Sequence, residues 1–158
     1  MSDDIKTTVK RANLLYVGLS NSAFHRSPDA IPLHDEDAGH FIDQQLHNEV
    51  SFDESRNVYS CLITNRLWIG PTVDDDSGEI DVVVESSKLW IRATYLVAFS
   101  IDGDEEVSDQ SVRLLFERTG LMSVWPYFRS HCAHYASEAS IPLHPLPLKK
   151  ATYRLDEK

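Results

Sequence analysis

The stretch Lys88-Leu-Trp-Ile-Arg-Ala-Thr-Tyr-Leu-Val-Ala-Phe-Ser-Ile101 decides the fold class. Leu89, Ile91, Ala93, Tyr95, Val97, Phe99 and Ile101 recur at every second position, and Lys88, Arg92, Thr94 and Ser100 fall between them. A period of two sends successive side chains to opposite sides of an extended chain, so the stretch reads as a long strand with one apolar and one wet face. Trp90 and Leu96 stand on the wet side. That leaves apolar surface facing outward.

Upstream, Asn13 to Phe24 places Leu15, Val17, Leu19 and Ala23 at the same period and reads as a half-buried strand closed by Ser27-Pro28. Pro28 to His40, with Pro32 and several acids, reads as a loop, and Gln45 to Phe52 as an imperfectly alternating strand. Asp53 to Asn57 supplies turn residues. Val58 to Ile69 alternates again, Gly70-Pro71 is expected to stop it, Asp74 to Gly78 to turn the chain, and Val82 to Val84 to begin another strand. Strands joined by short polar turns imply an antiparallel sheet, because parallel neighbours need crossover helices that this stretch lacks.

Beyond Asp102 the period changes. Leu115, Leu121, Val124, Trp125, Phe128, Cys132 and Tyr135 fall mostly three or four apart, which predicts helix from about Gln110 to Ser137 with a break near Gly120. Pro126 either begins a helix or kinks one. Three prolines then forbid helix in Ile141-Pro-Leu-His-Pro-Leu-Pro-Leu148, an extended apolar segment that must lie along something. Strands first and helices after give an α+β domain in which a helical layer covers one sheet face. We expect a flexible terminus over 1–11, one domain over 12–148 and a short charged tail over 149–158.

A chain of 158 residues is the size of a single domain that buries roughly 70% of its unfolded surface, and it needs no staples. Its two cysteines, Cys61 and Cys132, form neither a disulfide framework nor a zinc-finger pattern, which fits a reducing compartment. No apolar leader and no stretch of 18 apolar residues occurs, so a cytoplasmic protein without membrane insertion is expected. The net charge is −10, from 15 basic and 25 acidic residues, and it argues against nucleic acid as a partner. Residues 71–110 hold eleven acids against Lys88 and Arg92, so nine of the ten excess charges lie there (11 − 2). Such a run is either a solvated loop or an acidic docking surface for a basic partner. Asp74, Asp75, Asp76 and Glu79 belong to it.

Catalytic and metal chemistry find little purchase. His131, Cys132 and His134 are the one local group of metal-ligand types, but a structural zinc site wants four ligands and no second pair follows. Cys132 lies on the stripe of Trp125, Phe128 and Tyr135, the position of a buried apolar cysteine rather than a nucleophile. The aspartates at 74–76 lack the ligand spacing of a calcium loop. Phosphate-binding, dinucleotide-binding, acyl-transfer and peptidase motifs are missing, so we expect no enzyme, no cofactor and no metal. Three tryptophans and six tyrosines are many large rings for a small domain. They point to an oligomer interface or to a groove for extended chains.

Ser123-Val-Trp-Pro-Tyr-Phe-Arg129, then Ala136 to Ala139, then the proline-containing segment 141–148, resemble the SecB protein-export chaperone family in order and kind. Leu14, Leu15, Tyr16 and Phe24 ahead of Pro28 resemble that family's first strand. The resemblance implies a four-stranded antiparallel sheet with a long helix and a homotetramer built as a dimer of dimers. It also implies ATP-independent holding of non-native polypeptides in peripheral apolar grooves. On it, Tyr16, Phe24, Trp68, Trp90, Ile141, Leu143, Leu146 and Leu148 are expected to bind clients, and Asp74, Asp75, Asp76 and Glu79 to dock a partner such as the translocase motor. The family's motor-binding members carry acids near the end of the first strand, where this chain has Asn21 to His25. A SecB-fold interaction module, or a chaperone dedicated to a single partner such as an antitoxin, is the alternative.

Overall fold

A computed structural model of the chain describes residues 3–28, 38–74, 80–82, 87–103, 107–140, 143 and 146. Four long strands, β1 (Ala12–Arg26), β2 (Ala38–Asp53), β3 (Val58–Asp74) and β5 (Leu89–Ile101), pair antiparallel in the order β1-β5-β3-β2, and a three-residue β4 (Ile80–Val82) pairs with β3 alone. The two central strands are those with the strictest alternation. Leu89, Ile91, Ala93, Tyr95, Val97, Phe99 and Ile101 of β5 and Cys61, Ile63, Leu67 and Ile69 of β3 are all buried on one face.

Helical structure lies across that face: α2 (Asp109–Leu115), one π-helical turn (Phe116–Gly120) and α3 (Leu121–Glu138). Ser108 caps α2, its hydroxyl accepting from the Ser111 amide at 3.3 Å. Buried Val112, Phe116, Gly120, Val124, Phe128, Cys132 and Ala136 fall four apart, a spacing wider than the 3.6 residues of an α-helical turn. The π-turn, in which the Leu121 amide reaches back five residues to the Phe116 carbonyl, absorbs part of that drift. The expected break at Gly120 is this wider turn within a continuous helix. A side chain at Gly120 would stand 3.2 Å from Ile63 Cδ1 and from Phe116 Cδ1, so its absence lets the helix sit down on β3. Pro126 lies inside α3 rather than at its start. Ser140, at φ 55°, ends the helical region in a left-handed cap.

Four expectations require correction. Residues 1–11 are not a flexible terminus throughout, because Asp3–Arg11 forms α1, which buries Thr8 and packs against α2. A helix this short is marginal alone and is held by tertiary contact, including the Asp102 amide donating to the Arg11 carbonyl at 2.9 Å. Strand β2 begins at Ala38 rather than Gln45, taking in part of the expected loop. Gly70-Pro71 does not end β3: past Ile69 the β5 ladder is over, leaving an edge where a residue without an N–H is tolerated. The next strand is Ile80–Val82 and not Val82 to Val84. The expected tail over 149–158 lies outside the described residues.

Candidate polypeptide-binding surfaces

An α-helix with its side chains is about 10 Å across and neighbouring strands lie about 4.8 Å apart, so one helix covers about two strands. Here it covers β5 and β3. Nine large apolar side chains stay exposed among the described residues, and seven of them sit on the outer strands: Leu14, Leu15, Tyr16, Leu19 and Phe24 on β1, Phe41 and Phe52 on β2. Strand β1 is also an edge with one row of backbone groups that no strand among the described residues pairs.

The register divides the expected binding residues between two surfaces. Tyr16, Trp68 and Trp90 are on the face away from the helices, where Tyr16 lies opposite Ala98 and Trp68 opposite Trp90. The Tyr16 ring lies over Gly18, in space that any side chain at 18 would fill. Phe24 is on the helix side opposite Ile91, stacked on Tyr135 at 5.1 Å and 11°, and the Tyr135 hydroxyl meets Ser22 Oγ at 3.2 Å. Tyr16 and Phe24 are eight residues apart and would share a face in a regular strand. The irregularity between Leu19 and Asn21 adds one residue and sends them to opposite faces.

Leu146 needs correcting: it is 4% exposed within the core cluster, and its carbonyl accepts from Arg129 Nε at 2.8 Å. Leu143 is partly buried against the same core. These two residues lie beside the core, Leu146 also against α3 through Arg129. Ile141, Leu148, Asp75, Asp76 and Glu79 lie outside the described residues, and Asp74 is described only as the end of β3.

The helix-free face is ordered in rows running across the sheet. One row is His25, Trp90, Trp68 and Phe41, one residue from each strand. His25 stacks on Trp90 at 6.0 Å, and Phe41 meets Trp68 at 5.4 Å. The next row is Ala23, Arg92, Arg66 and Asp43, in which Arg66 donates to Asp43 at 2.9 Å and also reaches Gln45 at 3.0 Å. Beyond it Thr64 and Thr94 share a hydrogen bond of 2.8 Å, and His47 reaches Thr64 at 2.9 Å. Leu14, Leu15 and Leu19 were missed by sequence reasoning, as were Phe41, Phe52 and the row itself. The run Leu14-Leu15-Tyr16, three apolar residues without alternation, is the signal that could have found the edge.

The chemistry-bearing residues sit quietly. Burial pushes the Cys132 thiol up to about 12 and also raises Cys61, whose sulfur faces the His47 and Glu49 carbonyls, so both stay protonated near neutral pH. Burial, with His134 nearby, holds His131 below its ordinary value. His134 instead pairs with Glu138 at 3.4 Å in the open. Among the described residues no three histidine, cysteine or acidic side chains converge as metal ligands, and no helix is long and apolar enough to cross a membrane.

No known protein family matches this sequence, and no curated protein does. Among solved structures the chain is similar to the SecB-like chaperone Rv1957 of Mycobacterium tuberculosis, solved in complex with a ChAD peptide from the HigA1 antitoxin Rv1956. The TM-score is 0.70 at 12% identity, over 94% of this chain and 98% of that one. Strand order, the covering helix and the position of the edge strands thus place this chain in the SecB-like fold.

Proposed function

We propose that this protein is an ATP-independent holdase that binds non-native polypeptides, working as a homotetramer built as a dimer of dimers in the cytoplasm. The observation that carries this reading is the mismatch between a four-stranded sheet and a helix two strands wide, which leaves seven large apolar side chains 36% to 54% exposed on the outer strands. A second copy supplies the missing cover and pairs an edge, and what stays open receives clients. Tyr16, Phe24, Trp68 and Trp90, with Leu143 and the neighbouring Ile141 and Leu148, are the client contacts. Asp74, Asp75, Asp76 and Glu79 dock a basic partner or keep the assembly soluble. Burial and main-chain pairing tolerate many sequences, as a holdase requires. No catalytic role is proposed.

The destination of the clients is either protein export through the translocase motor or the custody of one partner, such as an antitoxin. The second has a specific observation in its favour. The end of β1 carries Asn21 to His25 without an acid, and Arg92 lies opposite Ala23, so this end of the strand lacks the acid the motor-binding resemblance calls for.

The test is suppression of light scattering from a chemically unfolded client at one protomer per client. Suppression that falls severalfold in Leu15→Lys and Phe24→Ser supports the proposal. Failure to protect any of several unfolded proteins, with tight binding of a single folded ligand, overturns it in favour of an interaction module.

A further inference from the structure

Sheets that leave one face uncovered normally make it polar, with opposite charges facing each other across strands. This face sets an aromatic row among its polar residues, and beside the opposite-charge pair of Arg66 and Asp43 it brings two like charges together. Arg92 lies directly opposite Arg66, an unfavourable pairing of like charges. Arg66 is satisfied by Asp43 and Gln45. Arg92 is exposed and makes no hydrogen bond or ion pair among the described residues. Alongside runs the aromatic row from His25 to Phe41, whose two tryptophans are only partly buried. Rings next to a free guanidinium favour a ligand that brings an anionic group together with an aromatic or leucine side chain.

The spacing narrows the choice. Consecutive same-face rows are two residues apart along each strand, or about 6.8 Å. Positions i and i+4 of an α-helix are about 6 Å apart along its axis. The backbone groups of the central strands are already paired within the sheet, so an extended ligand laid on this face would leave its own amides without partners, whereas a helix satisfies its own. A polyphosphate is disfavoured, since it brings no apolar side chain for the aromatic row and Arg66 is already paired with Asp43.

We propose that the helix-free face, at Trp90, Trp68 and Phe41 with Arg92 and Arg66, docks an acidic amphipathic helix of a partner protein carrying Trp, Phe or Leu at i and Asp or Glu at i+4. The proposal rests on the reading of Trp68 and Trp90 as polypeptide-binding residues and gives their ligand a chemical class. The full chain is titrated into a fluorescein-labelled 18-residue helical peptide bearing two such Trp/Glu pairs, with a Glu→Gln copy and a single-stranded RNA as comparators. The expected results are saturable binding that weakens as salt rises, at least tenfold loss in Arg92→Glu and in Trp90→Ala, and at least tenfold loss for the Gln peptide. Equal binding of the two peptides, no effect of Arg92→Gln, or tighter binding of the RNA overturns it. Aggregation suppression measured on the same samples separates the two readings: an active holdase that ignores the peptide sinks only this one, and a peptide binder that protects no client sinks only the holdase.

Discussion

Phe99 and Leu14 are cross-strand partners in one sheet, yet Phe99 is 1% exposed and Leu14 is 48% exposed. The strand bearing Phe99 has a neighbour on each side and a helix above it, while Leu14 lies at the margin, on a strand that α3 meets through Tyr135 at Ser22 and Phe24. Apolarity and pairing are alike at the two positions, so the width of the covering layer sets their burial. In β5 the positions under the helix are held to strict alternation because a slip would bring a polar side chain there. In β1 two irregularities are tolerated because a slip there moves residues between two partly open sides.

Truncation at the two partners gives the largest contrast. Phe99→Ala removes a ring packed edge-on against Phe116 at 5.3 Å and is expected to cost about 3–5 kcal/mol. Leu14→Ala should stay within about 0.5 kcal/mol for the isolated protomer. Urea unfolding of both variants reads the difference, and equal losses would show that β1 is buried in the folded unit. A smaller effect of opposite sign belongs to Tyr95, whose ring is in the core while its hydroxyl has no hydrogen-bond partner among the described residues. Tyr95→Phe is expected to raise stability by about 1 kcal/mol, visible as a higher urea midpoint at unchanged slope.

The smallest effect is a pH dependence at the boundary between core and edge. His131 contacts the edge of the Tyr135 ring at 4.5 Å, and its Nε2 is buried without a partner. Its folded value lies below the ordinary 6.5, so the unfolded chain binds the proton more readily. Stability is full above pH 6.5 and declines as pH falls from there toward the lower folded value. His131→Gln should flatten that decline relative to the parent chain in unfolding curves taken at pH 7.5, 6.5 and 5.5, and an unchanged slope would remove His131 as its source.

How much was legible follows the same division. The central strands, the antiparallel sheet and the covering helix were readable, because burial on one face enforces a period that survives in the residues themselves. The edge was not, since Tyr16 and Phe24 look like neighbours on one face until the extra residue near Ser20 separates them. Asp3–Arg11 reads as a polar terminus because its helix depends on α2, a partner more than ninety residues away. Leu146 was misassigned for a related reason: prolines announce an extended path without saying which way the Leu146 side chain turns. Trp90 was already conspicuous on a wet face, but the row joining it to His25, Trp68 and Phe41 exists only in the register of four strands.

The widened turn at Phe116–Gly120 has a consequence of its own. Winding the same residues as a plain α-helix, with none removed, would swing everything downstream by about 100°. Val124, Trp125, Phe128 and Cys132 would rotate off the sheet together, although every one of them was still present. What the turn stores is an angle. Scanning substitutions one at a time would pass over it, whereas deleting one residue there should return the turn to plain winding and leave the residues downstream seated.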